Sequence, residues 1–236
     1  MSSSTETPLR TRLRAAVTAS AAALALTLTG TLGACNYGAA ALFILEGPPT
    51  VEPVTDLDPE RATVIFIDDR GYGDDMIVPR RALRREIGRV AENRLLERGV
   101  IDEGNMIRSS EALRVITQEP SDQPLSVVEI GRAVGAEVVI YAEITNFTIS
   151  RNGVNLAPSA NAAVTIFDAQ ENTRLAPEGG GAFAVELRLP QGDRQLSELD
   201  RNQARVAREG LAAGLGEEIA RLFYEHERPT RRGTVE

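Results

Sequence analysis

The densest group of ionisable residues is Asp68-Asp69-Arg70-Gly71-Tyr72-Gly73-Asp74-Asp75, with four carboxylates in a short glycine-containing stretch. Carboxylate oxygens suit the hard cations Ca²⁺ and Mg²⁺, so Asp68, Asp69, Asp74 and Asp75 form a candidate ion or partner contact. Their spacing does not match an EF-hand loop, and the plainer reading is a solvated acidic loop whose carboxyls keep low pKa values. Gly71-Tyr72-Gly73 lacks the third glycine of the dinucleotide fingerprint, and carboxylates on both sides would repel a pyrophosphate. Just beyond, Arg80, Arg81, Arg84 and Arg85 make a basic patch. It reads either as the solvated face of a helix or as a docking patch for an acidic partner or a phosphate.

Other chemistry is limited by what the chain lacks. Every basic residue is an arginine, which removes the lysine Schiff base and the Walker phosphate loop, both of which need the amine. His226 is the sole histidine and lies beside a charged tail, where a solvated residue at a helix end is expected; a Ser-His-Asp triad or a histidine zinc site has almost no material. These features predict a protein that is not an enzyme and carries no cofactor or metal. The formal net charge of −8, with no tryptophan and few aromatic residues, disfavours nucleic acid as a partner, because both phosphate pairing and base stacking are missing.

The one cysteine has a context of its own. Arg10, Arg12 and Arg14 precede an uncharged run from Ala15 to Leu32, the charged-then-apolar order of a secretory signal. The run ends at Leu32-Gly33-Ala34-Cys35, which resembles the lipobox of bacterial lipoproteins. That resemblance implies a signal peptide over residues 1–34 and, at Cys35, a thiol that takes a diacylglyceryl group, with palmitate among the acyl chains. Two or three acyl chains anchor a protein stably where one holds it only marginally. Asn36 follows, where an aspartate would resemble an inner-membrane retention signal, so the periplasmic face of the outer membrane is the expected address. A plain secreted protein or an uncleaved anchor are the alternatives.

The elements that must position these residues can be read along the chain. Residues 35–60 form a lipidated N-terminus and a tether: an apolar run, Tyr37 to Leu45, that either enters the lipid interface or packs under the domain, then Pro48, Pro49, Pro53 and Pro59, which deny a helix. Residues 61–228 read as one globular domain, and 229–236 as a charged tail. Thr63 to Ile67 is a β-branched strand. Between Pro79 and Arg98, Leu83, Ile87, Val90, Ala91 and Leu95 recur at helical spacing, with Gly99 past the end. A short strand at Met106 and Ile107 leads to a helix opened by Ser109 or Ser110, and a further helix runs from Ser126 to Val134. Val138 onward alternates as a strand that is apolar on both faces in its first half, hence central. Asn152-Gly153 predicts a turn, Ala162 to Asp168 a strand, and Phe183 to Leu189 a strand with one wet face. Ser197 is expected to cap a long last helix in which Leu211, Leu215, Ile219 and Leu222 face inward and Gly210 and Gly214 allow a close approach to the sheet. This order predicts a single mixed-sheet α/β sandwich with a long C-terminal helix.

Three stretches carry a family resemblance: Thr63-Val64-Ile65-Phe66-Ile67, the run from Ile130-Gly131 through Gly135-Ala136 into Val138-Val139-Ile140-Tyr141-Ala142-Glu143-Ile144, and Val164-Thr165-Ile166-Phe167-Asp168-Ala169. Together they resemble the periplasmic domains of curli-secretion (CsgG-like) lipoproteins, lipoprotein activators of peptidoglycan synthases, and the N-terminal domain of the Tol translocation protein. The resemblance implies an anticodon-binding-like α/β fold used for protein docking. The chain departs from that group in lacking paired long hairpins for a membrane barrel and in having a short tether. The sequence therefore points to a lipid-anchored envelope protein that docks another protein or forms a homo-oligomer. A structural envelope lipoprotein without a discrete partner and a carboxylate-dependent hydrolase remain as other readings. Asn146-Phe147-Thr148 fits a glycosylation triplet but carries little weight in a bacterial lipoprotein.

Overall fold

The computed structural model describes residues 50–69, 81–119, 124–150, 154–190 and 195–227. The chain divides into two compact units, residues 1–51 with 227–236, and residues 52–226. In the first, the described residues are Thr50–Val51, extended as β1, and Glu227. All that follows concerns the second. Cys35, the leader, the apolar run 37–45 and the Asn152-Gly153 turn lie outside the described residues.

A six-stranded mixed sheet forms the middle layer. Its strands are β2 (Thr63–Asp68), β3 (Met106–Ile107), β4 (Val138–Thr148), β5 (Ser159–Asp168), β6 (Thr173–Ala176) and β7 (Phe183–Arg188). β2 runs parallel to both β3 and β4, while β5 is antiparallel to β4. Beyond β5, two strands share its far side: β7 pairs with its first half and β6 with its end. The expected central strand is central, with β2 on one side and β5 on the other. β6 was not anticipated, since Thr173–Ala176 is four residues long and mostly exposed, and so shows no alternating pattern.

Helices α1 (Arg81–Glu97) and α4 (Arg201–Arg221) cover one face, and α2 (Ser109–Thr117) and α3 (Val127–Ala133) cover part of the other. Alternation along the strands feeds two cores. Ile65, Ile67, Ile140 and Ala142 join Ile87, Ala91 and Leu95 of α1 and Leu211, Leu215 and Ile219 of α4. Val64, Phe66 and Val139 join Ala112 of α2 and Ile130 of α3. The mixed α/β sandwich with a long C-terminal helix is the fold that the element order predicts.

The ends of the helices follow local chemistry. Ser126 accepts the Glu129 N–H and Glu129 accepts the Ser126 N–H, a complete capping box on α3. Gly99 and Gly135 take positive φ, +65° and +79°, just after α1 and α3, where residues with a Cβ would be strained. The expected cap of α4 needs correction. Ser197 sits in a separate 3₁₀ turn, Leu196–Glu198, and the cap is Asp200, whose carboxylate accepts the Gln203 N–H at 2.7 Å while Gln203 Oε1 accepts the Asp200 N–H at 3.2 Å. A charged acceptor with a glutamine three residues on makes the reciprocal box that Ser197 lacks.

Glycines set the helix contacts. A Cβ on Gly214 would lie 2.6 Å from Leu187 Cδ2 on β7, so the close approach to the sheet is there; around Gly210 there is open space, and that part of the expectation fails. The tightest contact of α4 is one the spacing did not flag: a Cβ on Gly216 would stand 2.4 Å from the Ile87 carbonyl oxygen of α1. The segment before β2 is also held in place. Val54 N–H donates to Leu222 O at 2.8 Å, and Pro59 O accepts from Asp102 N–H and from the Asn105 side chain.

Gly216→Ala must push α1 and α4 apart against backbone and should cost about 1–3 kcal/mol. Gly210→Ala, in an exposed helical position with room for the methyl, should instead stabilise by roughly 1 kcal/mol. Urea unfolding of the two variants checks the pair; equal effects would mean that the α1–α4 contact is not as close as described.

Candidate functional site

Asp68 and Asp69 were expected in a wet loop, and the structure corrects both. Asp68 is the last residue of β2 and is 2% exposed. Tyr141 OH, from the neighbouring strand, donates to its Oδ2 at 3.0 Å. Tyr141 lies between Phe66 and Phe167, with ring centroids 5.6 and 6.3 Å away. Asp69 accepts from Arg84 Nη1 at 2.7 Å, with side chains only 9% and 19% exposed. The cause is topological. β2 is an interior strand with helices on both faces, so its carboxyl end stays inside the unit, and a carboxylate there needs a hydrogen-bonded or charged partner.

The arginine patch is divided by the same contact. Arg81 and Arg85 are exposed, as expected, whereas Arg84 turns inward to Asp69. Arg84 Nε is buried and has no hydrogen-bond partner among the described residues. Asp74, Asp75 and Arg80 lie outside the described residues. Among the described residues, no group of three or more His, Cys, Asp or Glu side chains is placed to hold a metal ion. His226 is half-buried rather than solvated. Its Nδ1 lies 3.1 Å from Tyr224 O, and its ring meets the Tyr224 ring edge-on at 6.0 Å.

Two charged clusters escaped the sequence reading. Glu92 is buried on α1, one turn after Gly88, and these two residues cradle Ser109, the first residue of α2. The α2 N-cap, Arg108, makes no side-chain cap bond. The Glu92 carboxylate replaces it by accepting the Ser109 N–H, at an end where the helix dipole favours negative charge. Burial nevertheless raises the Glu92 pKa above its ordinary 4.5, outweighing the opposing hydrogen bonds from Ser109 and the charge of Arg108. At the other end of the sheet, Asp168 closes the turn after β5 by accepting from Gln170 N–H at 2.9 Å and Glu171 N–H at 2.7 Å, and Arg61 reaches it at 2.7 Å. The Glu171 N–H is the largest influence holding its pKa low, and Arg61 adds to it against the cost of burial. Glutamate at the fifth position after an apolar helical residue gives no sign that it will cap a different helix, so Glu92 could not have been found by spacing.

No family model matches the chain, and no curated protein does. Solved structures similar to it include PelC of Paraburkholderia phytofirmans, crystallised as a dodecamer, at TM-score 0.40 and 11% identity over 75% of this chain and 97% of that one. The hypothetical protein CT253 of Chlamydia trachomatis aligns at TM-score 0.34 and 18% identity, over 67% and 93% of the two chains. Lipoprotein GNA1162 of Neisseria meningitidis aligns at TM-score 0.30 and 9% identity, over 66% and 95%. No helix among the described residues is long and apolar enough to cross a membrane.

Two measurements test these clusters. Because the folded-state pKa of Glu92 is raised, its protonated form contributes stability that is fully present below about pH 4.5 and lost as pH rises through the folded value. The stability of Glu92→Gln relative to the native protein should therefore climb across that window, and a flat difference in pH-dependent urea titrations would count against it. Asp69→Ala strands the inward Arg84 guanidinium and should cost about 1–3 kcal/mol; an unchanged melting curve would show the pair to be solvated.

Proposed function

We propose that the chain is a lipid-anchored cell-envelope protein, held at the periplasmic face of the outer membrane through Cys35, whose folded unit docks proteins and catalyses no reaction. The observation that carries the anchor is Leu32-Gly33-Ala34-Cys35, placed at the end of an arginine-led apolar run and holding the only cysteine of the chain. Burial of roughly 0.8 kcal/mol per CH₂ makes two or more acyl chains a sufficient hold without any membrane-spanning helix.

The docking reading draws support from how the fold uses its ionisable groups. A general acid or base near neutral pH needs a group both shifted and accessible to substrate. Asp68 is engaged by Tyr141, Asp69 by Arg84, and Asp168 by Arg61 and two backbone amides. Glu92 is shifted, but it is enclosed between α1 and the start of α2, where it serves as a cap. These acids hold the architecture together, which supports a role carried by the surfaces of the sandwich.

Radiolabelled palmitate should enter the native protein in a bacterial host and be absent from Cys35→Ala. Equal labelling of the two would overturn the anchor. On the catalytic side, a hydrolase substrate panel should give no turnover with the purified protein. Activity lost in Asp69→Asn without a change in melting would overturn the non-catalytic reading.

A further inference from the structure

Among the described residues, the sheet has one open edge long enough to matter. β7 pairs with β5 through Ser159–Val164 and, among the described residues, has no second strand beside it. Leu189 N–H donates to Pro158 O at 3.1 Å, which fixes the alternation along the strand. Phe183, Val185 and Leu187 turn their backbone polar groups toward β5, so Ala184, Glu186 and Arg188 turn theirs outward. An unpaired row of this kind is a template for another strand. The remaining edges are poorer. β3 is two residues long, and β6 is four, with a register shift against β5 and with Arg174 donating to Gly181 O.

The geometry points to a second copy of this chain as the occupant, with β7 pairing antiparallel to the partner subunit's β7 about a two-fold axis at Leu187. The charge pattern selects this register. Centred on Leu187, Glu186 faces the Arg188 of the partner subunit and Arg188 faces the partner's Glu186. These outward-pointing residues form the pairs that exchange both backbone hydrogen bonds. Glu186 and Arg188 are exposed on the same face and already approach each other at 3.5 Å within one strand, so pairing makes an alternating four-charge ladder. A register centred on Glu186 would oppose two like charges. One centred on Val185 would set Arg188 against Ala182 and gain no charge pair.

The opposite face is complementary in another way. Leu187 is half-buried beneath Gly214 of α4, and at the axis it meets the partner's Leu187 in a non-hydrogen-bonded pair, where side chains stand closest. Val185 faces the partner's Leu189, extending the apolar layer. On the same stripe of α4, one and two turns back from Gly214, lie Gly210, with open space around it, and Val206, 53% exposed. Pro190 faces Ala184 and has no N–H to give, so the ladder ends there and cannot slide to a longer pairing. A ladder this short buries less than the roughly 1,600 Å² of a standard interface, and the dimer is accordingly weak and reversible. The inference deepens the docking reading by naming the partner, and its geometry does not depend on the lipid.

The test uses the full chain carrying Cys35→Ser, so that an introduced cysteine is the only thiol. Under mild oxidation Leu187→Cys should form a disulfide-linked dimer in high yield, and Ala184→Cys, far from its own mate in this register, should not. In sedimentation without added cysteines, Glu186→Arg and Arg188→Glu should each lower the dimer fraction several-fold, and the double swap should restore it. Melting curves confirm that each variant is folded. A chain that stays monomeric with no Leu187→Cys crosslink, equal crosslinking at both positions, or a dimer indifferent to the swaps would each overturn the proposal. None of those outcomes bears on palmitate labelling at Cys35, so the dimer and the anchor fail separately.

Discussion

Strand β2 is buried along its whole length, from Thr63 to Asp68, between β3 and β4 and beneath helices on both faces. Its backbone is paired along its whole length by the parallel ladder to β4 and, at Thr63 and Val64, by β3 as well, while its apolar side chains fill the two cores. The rest of the unit is arranged around that demand. α1 and α4 cover Ile65 and Ile67, and α2 and α3 cover Val64 and Phe66. At its two ends the strand meets the charged groups that close the structure: Arg61 before it, paired with Asp168 and Glu137, and Asp68 and Asp69 at its end, engaged by Tyr141 and Arg84.

This constraint explains why the most conspicuous acidic cluster is partly structural. A carboxylate at the end of an exposed edge strand would be hydrated at no cost. At the end of an enclosed strand it is desolvated and has to be matched. The same reasoning applies to Glu92, which is enclosed because Gly88 brings α1 close to the start of α2. There the carboxylate satisfies an amide that the preceding arginine leaves uncapped, and the raised pKa reflects the burial that this position requires.

Against this closed interior, β7 has one side that no strand among the described residues covers. The strand is alternately apolar and charged, so one face completes the core over α4 while the other carries Glu186 and Arg188 in water. An edge that was only a hazard would be expected to show like charges or an interrupting proline along its length. Here the charges are of opposite sign and the proline sits just past the strand's end, a pattern compatible with a pairing limited in length and fixed in register.

Much of the fold was legible in the sequence because its signals are local. The β-branched run at Thr63–Ile67, the doubly apolar start of β4, the helical spacing of Ile87, Ala91 and Leu95, the serine at position 126 and the glycines at 99 and 135 each act within a few residues of themselves. What the tertiary structure decided are relations between distant parts of the chain. Whether Asp68 is wet depends on which strands flank β2. Which glycine of α4 is crowded depends on where α1 crosses, making Gly216 rather than Gly210 the tight one. That Glu92 caps α2 depends on a helix crossing, and that β7 has only β5 beside it among the described residues depends on where the fold places it in the sheet. Periodicity assigns a residue to a face of its own element, but desolvation and pairing are set by the neighbours that the fold brings to that face.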